Sequence, residues 1–121
     1  MTTRQSLGRW GEIYARDYLV ERGYTLIGQN IRTPYGEIDL IVSEPGGSLV
    51  FVEVKTRRSH VYGLPEASVT PKKREHLLAA VESYLQSHPE FAGECRLDVI
   101  AIQRHPGSQP PEIVHFENAI S

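Results

Sequence analysis

The chain has 121 residues, of which 40% are hydrophobic and 23% charged, and a formal net charge of -2. This length fits a single domain over residues 1–121, because two smaller cores would each be marginally stable. No apolar run approaches the roughly 20 residues of a membrane span, no signal-peptide segment opens the chain, and the single cysteine excludes an internal disulfide. We therefore expect a cytoplasmic protein without a membrane partner, with a core over about 6–103 and a C-terminal loop and strand over 104–121.

Local patterns predict the order helix, three strands, helix, strand, strand. Ser6 and Gly23 are candidate caps of the first helix, Thr70 and Pro71 are typical of the start of the second, and Pro89 ends it. This order predicts an α/β fold in which helices pack on a mixed sheet. The predicted ranges are 6–22, 24–31, 37–43, 49–57, 71–88, 95–103 and 113–117.

The first helix carries a strip of small residues, Gly8, Gly11 and Ala15. Each glycine inside a helix costs about 0.5–1 kcal/mol relative to alanine. Close packing of this helix on the sheet would compensate for that cost, and two tolerated glycines are the equally simple alternative.

The second and third strands carry charged residues in an alternating pattern. Because side chains alternate between faces, Glu37 and Asp39 share a face on one strand, and Glu53 and Lys55 share a face on the next. A hairpin centred near Gly46 places Asp39 opposite Glu53 and Glu37 opposite Lys55. The opposite face of the second strand is expected to hold Ile38, Leu40 and Val42.

Two carboxylates that face each other in a sheet need a compensating charge. At about 5 Å and an effective dielectric near 20, Asp39 and Glu53 would repel each other by about 3 kcal/mol. A divalent cation such as Mg²⁺ relieves this repulsion. The alternative is an ordinary ion pair of Glu37 with Lys55, while the other two carboxylates point to solvent. The apolar residues around Glu53 favour the metal, because they indicate a central strand in which a charge needs a partner.

These motifs together resemble a known group of nucleases. An Asp on the second strand and Glu-x-Lys on the third are similar to the PD-(D/E)xK superfamily, whose restriction-endonuclease-like core is αβββαβ. More closely, the chain resembles the YraN family of uncharacterised bacterial proteins, which are similar to archaeal Holliday-junction resolvases. No proline precedes Asp39, so the "PD" half of the motif is absent. The matching motifs are G-x-x-G-E-x-x-A at 8–15, N-x-R at 30–32, G-E-I-D-L-I at 36–41, F-V-E-V-K-T-R at 51–57, V-T-P-x-K at 69–73 and R-L-D-V at 96–99.

The resemblance implies a role for each matching residue. Asp39 and Glu53 would bind Mg²⁺ or Mn²⁺, Glu12 would bring a further carboxylate from the first helix, and Lys55 would be the catalytic lysine. Without the resemblance, a surface pair with Arg16 at i+4 is the better explanation of Glu12. The implied function is a metal-dependent endonuclease acting on DNA, with branched or Holliday-junction DNA as one expected substrate and a homodimer as the matching assembly.

Two other functions remain open at this level. The resemblance does not imply that family members cut DNA, so a nucleic-acid-binding protein with the nuclease fold and little or no cleavage is the first alternative. A metal-stabilised interaction protein is the second.

Basic residues are concentrated in one part of the chain. Residues 55–74 contain six basic residues and one acidic residue, so the mild net acidity does not exclude DNA as a partner. Lys73 and Arg74 lie at the start of the second helix, and for them exposure to solvent is an equal alternative to phosphate contacts. The residues expected to contact phosphates are Arg32, Arg57, Arg58, Lys73 and Arg74.

Overall fold

The computed structural model describes residues 4–57, 70–91, 93–105, 107 and 109–119. The elements are α1 (Arg4–Glu21), β1 (Thr25–Thr33), β2 (Gly36–Ser43), β3 (Leu49–Arg57), α2 (Pro71–Ser87), β4 (Cys95–Gln103) and β5 (Glu112–Phe116), and a short 3₁₀ helix (Pro89–Phe91) follows α2. The strands form one sheet in the order β1-β2-β3-β4-β5. Only β3 and β4 pair in parallel, because α2 forms the crossover between them. The predicted mixed α/β fold is confirmed.

The two long helices cover opposite faces of the sheet. Leu77 and Val81 of α2 pack in a buried cluster with Phe51, whereas Leu19 of α1 packs in a second cluster with Val52. The central strand β3 is therefore apolar on both faces over its first half, as the run of hydrophobic residues predicts. Within the described ranges, neither helix has the length and apolar character of a membrane span.

The helix ends agree with the predicted signals except at Ser6. Gly23 ends α1 with a φ of 91°, and its N–H donates to the carbonyl of Val20 at 3.1 Å. Thr70 caps α2 by accepting the N–H of Lys73 at 3.2 Å, and a proline follows it at the first helical position. The N-cap predicted at Ser6 is wrong, since α1 already includes the two residues before it. Arginine and glutamine at those positions are good helix formers.

The strip of small residues packs closely against the sheet at Gly11. A Cβ added at Gly11 would lie 1.9 Å from Oγ1 of Thr56, so only glycine allows α1 to approach β3 this closely. Ala15, one turn further on, is completely buried. At Gly8, however, an added Cβ would meet no heavy atom of the described residues within 4 Å. Packing therefore explains Gly11 and Ala15 but not Gly8.

Candidate metal centre

Strand β2 changes the direction of its side chains at Asp39. Ile38 packs in the cluster on the α2 side, whereas Leu40 packs in the cluster on the α1 side, so the predicted common face of these two residues is wrong. Pairing with β3 follows the predicted register and extends as far as Leu40 opposite Val52. At the next position, Oδ2 of Asp39 accepts the N–H of Val54 at 2.8 Å. A side-chain carboxylate thus takes the place of a backbone carbonyl as the acceptor at this position. The side chains of β2 change sides of the sheet at the same point.

Three carboxylates converge beside this irregularity. Glu12 on α1 and Glu37 and Asp39 on β2 each have an oxygen within 4.8 Å of the others. We call these three residues the acidic cluster. Ile38 points to the α2 side of the sheet, and neighbouring side chains on a strand alternate between faces. Glu37 therefore points towards α1, where it reaches Glu12.

The predicted ligand set was Glu12, Asp39 and Glu53, and the structure brings only the first two together in the acidic cluster. Oε1 of Glu53 lies 3.0 Å from Nζ of Lys55, although its charge is close enough to raise the pKa of Asp39. The predicted pairing of Glu37 with Lys55 is replaced by this Glu53–Lys55 ion pair. Glu53 and Lys55 are two residues apart on β3, so their long side chains are neighbours on the same face of the strand and can meet directly.

The environment of the acidic cluster opposes negative charge. Burial, followed by the charge of Glu53, raises the pKa of Asp39 from 3.8 to about 8, despite the hydrogen bond from Val54. Burial is also the largest cause that raises the pKa of Glu12, and Glu37 adds to it. Convergent oxygens with unfavourable mutual repulsion fit a hard divalent cation such as Mg²⁺ or Mn²⁺.

Two lysines lie on the other side of Glu53. The side chains of Lys55 and Glu53 are only 17% and 20% exposed. Burial by itself would lower the pKa of Lys55, but the charge and hydrogen bond of Glu53 outweigh it and raise that pKa. The hydrogen bond with Lys55 is the largest cause that lowers the pKa of Lys73, so the side-chain nitrogens of the two lysines are close neighbours. Lys55 is therefore a cation at neutral pH.

A cleft of about 200 Å³ opens between this end of the sheet and α2. His76 and Tyr35 line it, and neither was predicted as a site residue. His76 lies three residues after Lys73, so the helical i,i+3 spacing is the signal that could have placed them together. Tyr35 precedes β2 in a turn, and its side chain is exposed. The polar and aromatic lining includes Tyr35, Glu37, Glu53, Lys55, Lys73 and His76.

The residues predicted to contact phosphates are distributed around the centre. Lys73 lines the cleft, and Arg57 at the end of β3 is close enough for its charge to lower the pKa of Lys73. Arg74 is exposed on α2 but is not among the residues that line the cleft. The side chain of Arg32 is 90% exposed and lies on the α1 side of the acidic cluster. Arg58 lies outside the described residues.

The mixed sheet between two helices, with carboxylates where β2 and β3 separate, defines a restriction-endonuclease-like fold. The chain belongs to the family described as "Uncharacterised protein family UPF0102", whose model matches residues 11–102, and the YraN resemblance is thereby confirmed. It is 45% identical over 118 residues to a UPF0102 protein of Dehalococcoides mccartyi, covering 97% of this chain and 94% of that relative. It is 45% identical over 115 residues to one of Syntrophomonas wolfei, covering 95% and 97%.

The fold is similar to that of a solved structure. The crystal structure of a repair endonuclease from Pyrococcus abyssi is similar to 85% of this chain with a TM-score of 0.50 and 16% sequence identity. The similar region is 39% of that longer protein. At this identity the similarity shows the fold, and the chemistry must be argued from the residues of this chain.

Proposed function

We propose that the chain is a divalent-metal-dependent endonuclease that hydrolyses phosphodiester bonds in DNA. The observation that carries the proposal is the acidic cluster of Glu12, Glu37 and Asp39, with the charged Lys55 beside it on the wall of one cleft. Phosphodiester hydrolysis needs stabilisation of negative charge on the phosphate and a positioned water. The fold, shared with a repair endonuclease, supports the same conclusion.

The carboxylates would hold Mg²⁺ or Mn²⁺. Glu12, Glu37 and Asp39 provide converging oxygens, and Glu53 completes the set from β3, since its charge already acts on both Asp39 and Glu12. A bound ion supplies positive charge to the scissile phosphate and lowers the pKa of water. The burial and the charge of Glu53 that raise the pKa of Asp39 support this assignment, because a bound cation would offset the same repulsion.

Lys55 acts in this proposal as a hydrogen-bond donor. Because its pKa is raised, the ammonium group keeps its protons at neutral pH and does not serve as a base. It can orient the attacking water or stabilise charge on a phosphate oxygen. Lys73 adds a second hydrogen-bond donor in the same cleft. Contacts to flanking phosphates are proposed for Arg32, Arg57, Arg58 and Arg74.

A nucleic-acid-binding protein without cleavage is the second candidate. The specific observation in its favour is the Glu53–Lys55 ion pair at 3.0 Å, in which the two charges offset each other. A chain that keeps this pair when DNA binds would position phosphates but offer neither group to the reaction.

A cleavage assay separates the two candidates. Labelled duplex, single-stranded and four-way-junction DNA are incubated with the protein in Mg²⁺, Mn²⁺ or EDTA. We expect cleavage only with the ions, and a loss of about 100-fold or more in Asp39→Asn and Lys55→Gln. Glu82→Gln, which removes an exposed carboxylate of α2, is the matched control and should cut like the parent. DNA binding without cleavage under every condition would overturn the endonuclease and support the binding protein.

The branched substrate and the homodimer are finer parts of the same proposal. A four-way junction has two-fold symmetry, and a two-fold dimer would present one site to each of two strands. We expect faster cleavage of the junction than of the duplex, and a dimer by sedimentation in its presence. Equal rates on both substrates would remove the junction preference and leave the endonuclease.

A further inference from the structure

A second depression lies on the α1 side of the acidic cluster. Two carboxylates of that cluster contribute to it, and one of them, Glu37, also lines the cleft on the α2 side. The acidic cluster therefore separates two openings, and a chain-like ligand that occupies both must pass over it. We call the second opening the α1-side depression, and its lining residues are Gly8, Arg9, Glu12, Asn30, Arg32 and Glu37.

Two arginines make the α1-side depression suitable for phosphate. Arg9 and Arg32 flank carboxylates that would otherwise repel a phosphodiester. The Nε atom of Arg32 lies 3.9 Å from Oε2 of Glu37, which is too long for a hydrogen bond. The guanidinium therefore keeps N–H donors available for phosphate oxygens, in the fork geometry that suits them.

Gly8 leaves room above the helix at this position. It lies on α1 one turn before Glu12, so both face the depression. Glycine inside a helix is less stable than alanine. Thr56 explains the glycine at Gly11, but an added Cβ at Gly8 would contact none of the described residues within 4 Å. Among the described residues, alanine would fit at Gly8 without a clash, so the bare helix backbone is open there to a ligand.

We propose that the α1-side depression binds a phosphodiester of the DNA strand on the far side of the scissile phosphate from Lys55. Arg9 and Arg32 donate to its oxygens, and the sugar-phosphate backbone passes directly over Gly8. The strand then lies along one path from the cleft at α2, across the acidic cluster, to the depression at α1. This inference deepens the proposed function and rests on it, since the strand must also reach the metal centre.

Gly8→Ala tests the inference by separating stability from binding. The thermal midpoint of the free protein should rise by about 2–5 °C, because alanine favours the helix. Affinity for a fluorescently labelled DNA, measured by anisotropy in the Asp39→Asn background to prevent cleavage, should fall about fivefold or more, because the methyl group obstructs the backbone. Gly93→Ala is the matched control, since a Cβ there also meets nothing among the described residues within 4 Å. It should leave affinity unchanged.

Arg9→Gln tests the charge. Loss of one phosphate contact should lower the salt slope of binding by about one and weaken binding about tenfold at moderate salt. Arg22→Gln removes the same charge about 20 Å away, just past the end of α1, where Arg22 lies over the ring of Tyr18. It should change neither the salt slope nor the affinity. Equal effects of the two substitutions would mean that only net charge matters, and would overturn the site.

The results distinguish this inference from the proposed function. If the parent protein never cuts DNA but Gly8→Ala and Arg9→Gln still weaken binding, the depression is supported and the endonuclease is overturned. If the parent cuts, and both variants bind DNA and cut it as the parent does, the depression is overturned and the endonuclease stands.

Discussion

Asp39→Asn is expected to stabilise the protein in the absence of metal ions. The carboxylate of Asp39 is largely buried near Glu53 and Glu12, and these surroundings oppose its charge. Asparagine has nearly the same shape and keeps an oxygen for the N–H of Val54, which now donates to Oδ2 at 2.8 Å. The substitution therefore removes the unfavourable charge without removing the hydrogen bond.

The pKa of Asp39 determines the sign and the size of this effect. Burial and the charge of Glu53 raise the pKa to about 8, from 3.8. Between these values the folded state holds a proton that the unfolded state has lost, so the stability of the parent falls as the pH rises through this window. At about 1.4 kcal/mol per pH unit, the cost approaches about 4 kcal/mol at pH 7. Partial solvation of the carboxylate reduces it, and we expect about 2–4 kcal/mol.

Urea unfolding in EDTA at several pH values between 5 and 8 measures this difference. The free energy of unfolding of Asp39→Asn should exceed that of the parent, and the gap should widen with pH. Addition of Mn²⁺ should stabilise the parent and not the variant, because an ion that binds only the folded state shifts the equilibrium by mass action. A variant no more stable than the parent at pH 8 in EDTA, or a gap that does not change with pH, would refute the reasoning.

Three further predictions concern packing and the buried charge on β4. Gly11→Ala should lower the free energy of unfolding by about 1–3 kcal/mol, because its Cβ would clash with Thr56; an unchanged thermal midpoint would contradict the close packing. Arg96→Ala should lower the free energy of unfolding, measured in urea, by about 3–5 kcal/mol. The reason is that Asp98 is completely buried and accepts two hydrogen bonds of 2.9 Å from Arg96. A loss below about 1 kcal/mol would contradict a stabilising role of these hydrogen bonds. Burial would raise the pKa of Asp98, but hydrogen bonds from His115, Arg96 and a backbone N–H outweigh it and lower that pKa. The resulting stability is present above the ordinary aspartate range and is lost as the pH falls below it, so Asp98→Asn should unfold with less acid dependence than the parent.

The order of the elements, and the exact bounds of two strands, could be predicted because they depend on local patterns. The ranges 49–57 and 95–103 agree with the structure as predicted, since apolar runs bounded by turn residues specify buried strands. The cap at Thr70 was also correct. The error at Ser6 has a physical reason: a capping side chain permits a helix to start but does not prevent one that starts earlier.

The candidate site could be predicted only in part. The register of the β2–β3 hairpin follows from its short connection and was correct where the strands pair, from Leu40 to Ser43. The change of facing at Asp39 was not predictable, because it depends on a hydrogen bond to Val54, fifteen residues away in the chain. As a consequence of that change, the acidic cluster contains Glu37 where the sequence predicted Glu53.

The sequence by itself determined the family, the α/β fold and the presence of Asp39, Glu53 and Lys55 on neighbouring strands, because each depends on residues close together in the chain or on motifs read as they stand. Only the tertiary structure decided that Glu12 meets Glu37 and that His76 lines the cleft. It also decided that Gly11 packs against Thr56, whereas Gly8 has no neighbour within 4 Å of an added Cβ among the described residues. Hydrophobic periodicity specifies which face each helix buries. Which polar residues meet at the edges of those faces depends on how α1 and α2 pack against opposite sides of the sheet, and that packing is settled by contacts distant in sequence.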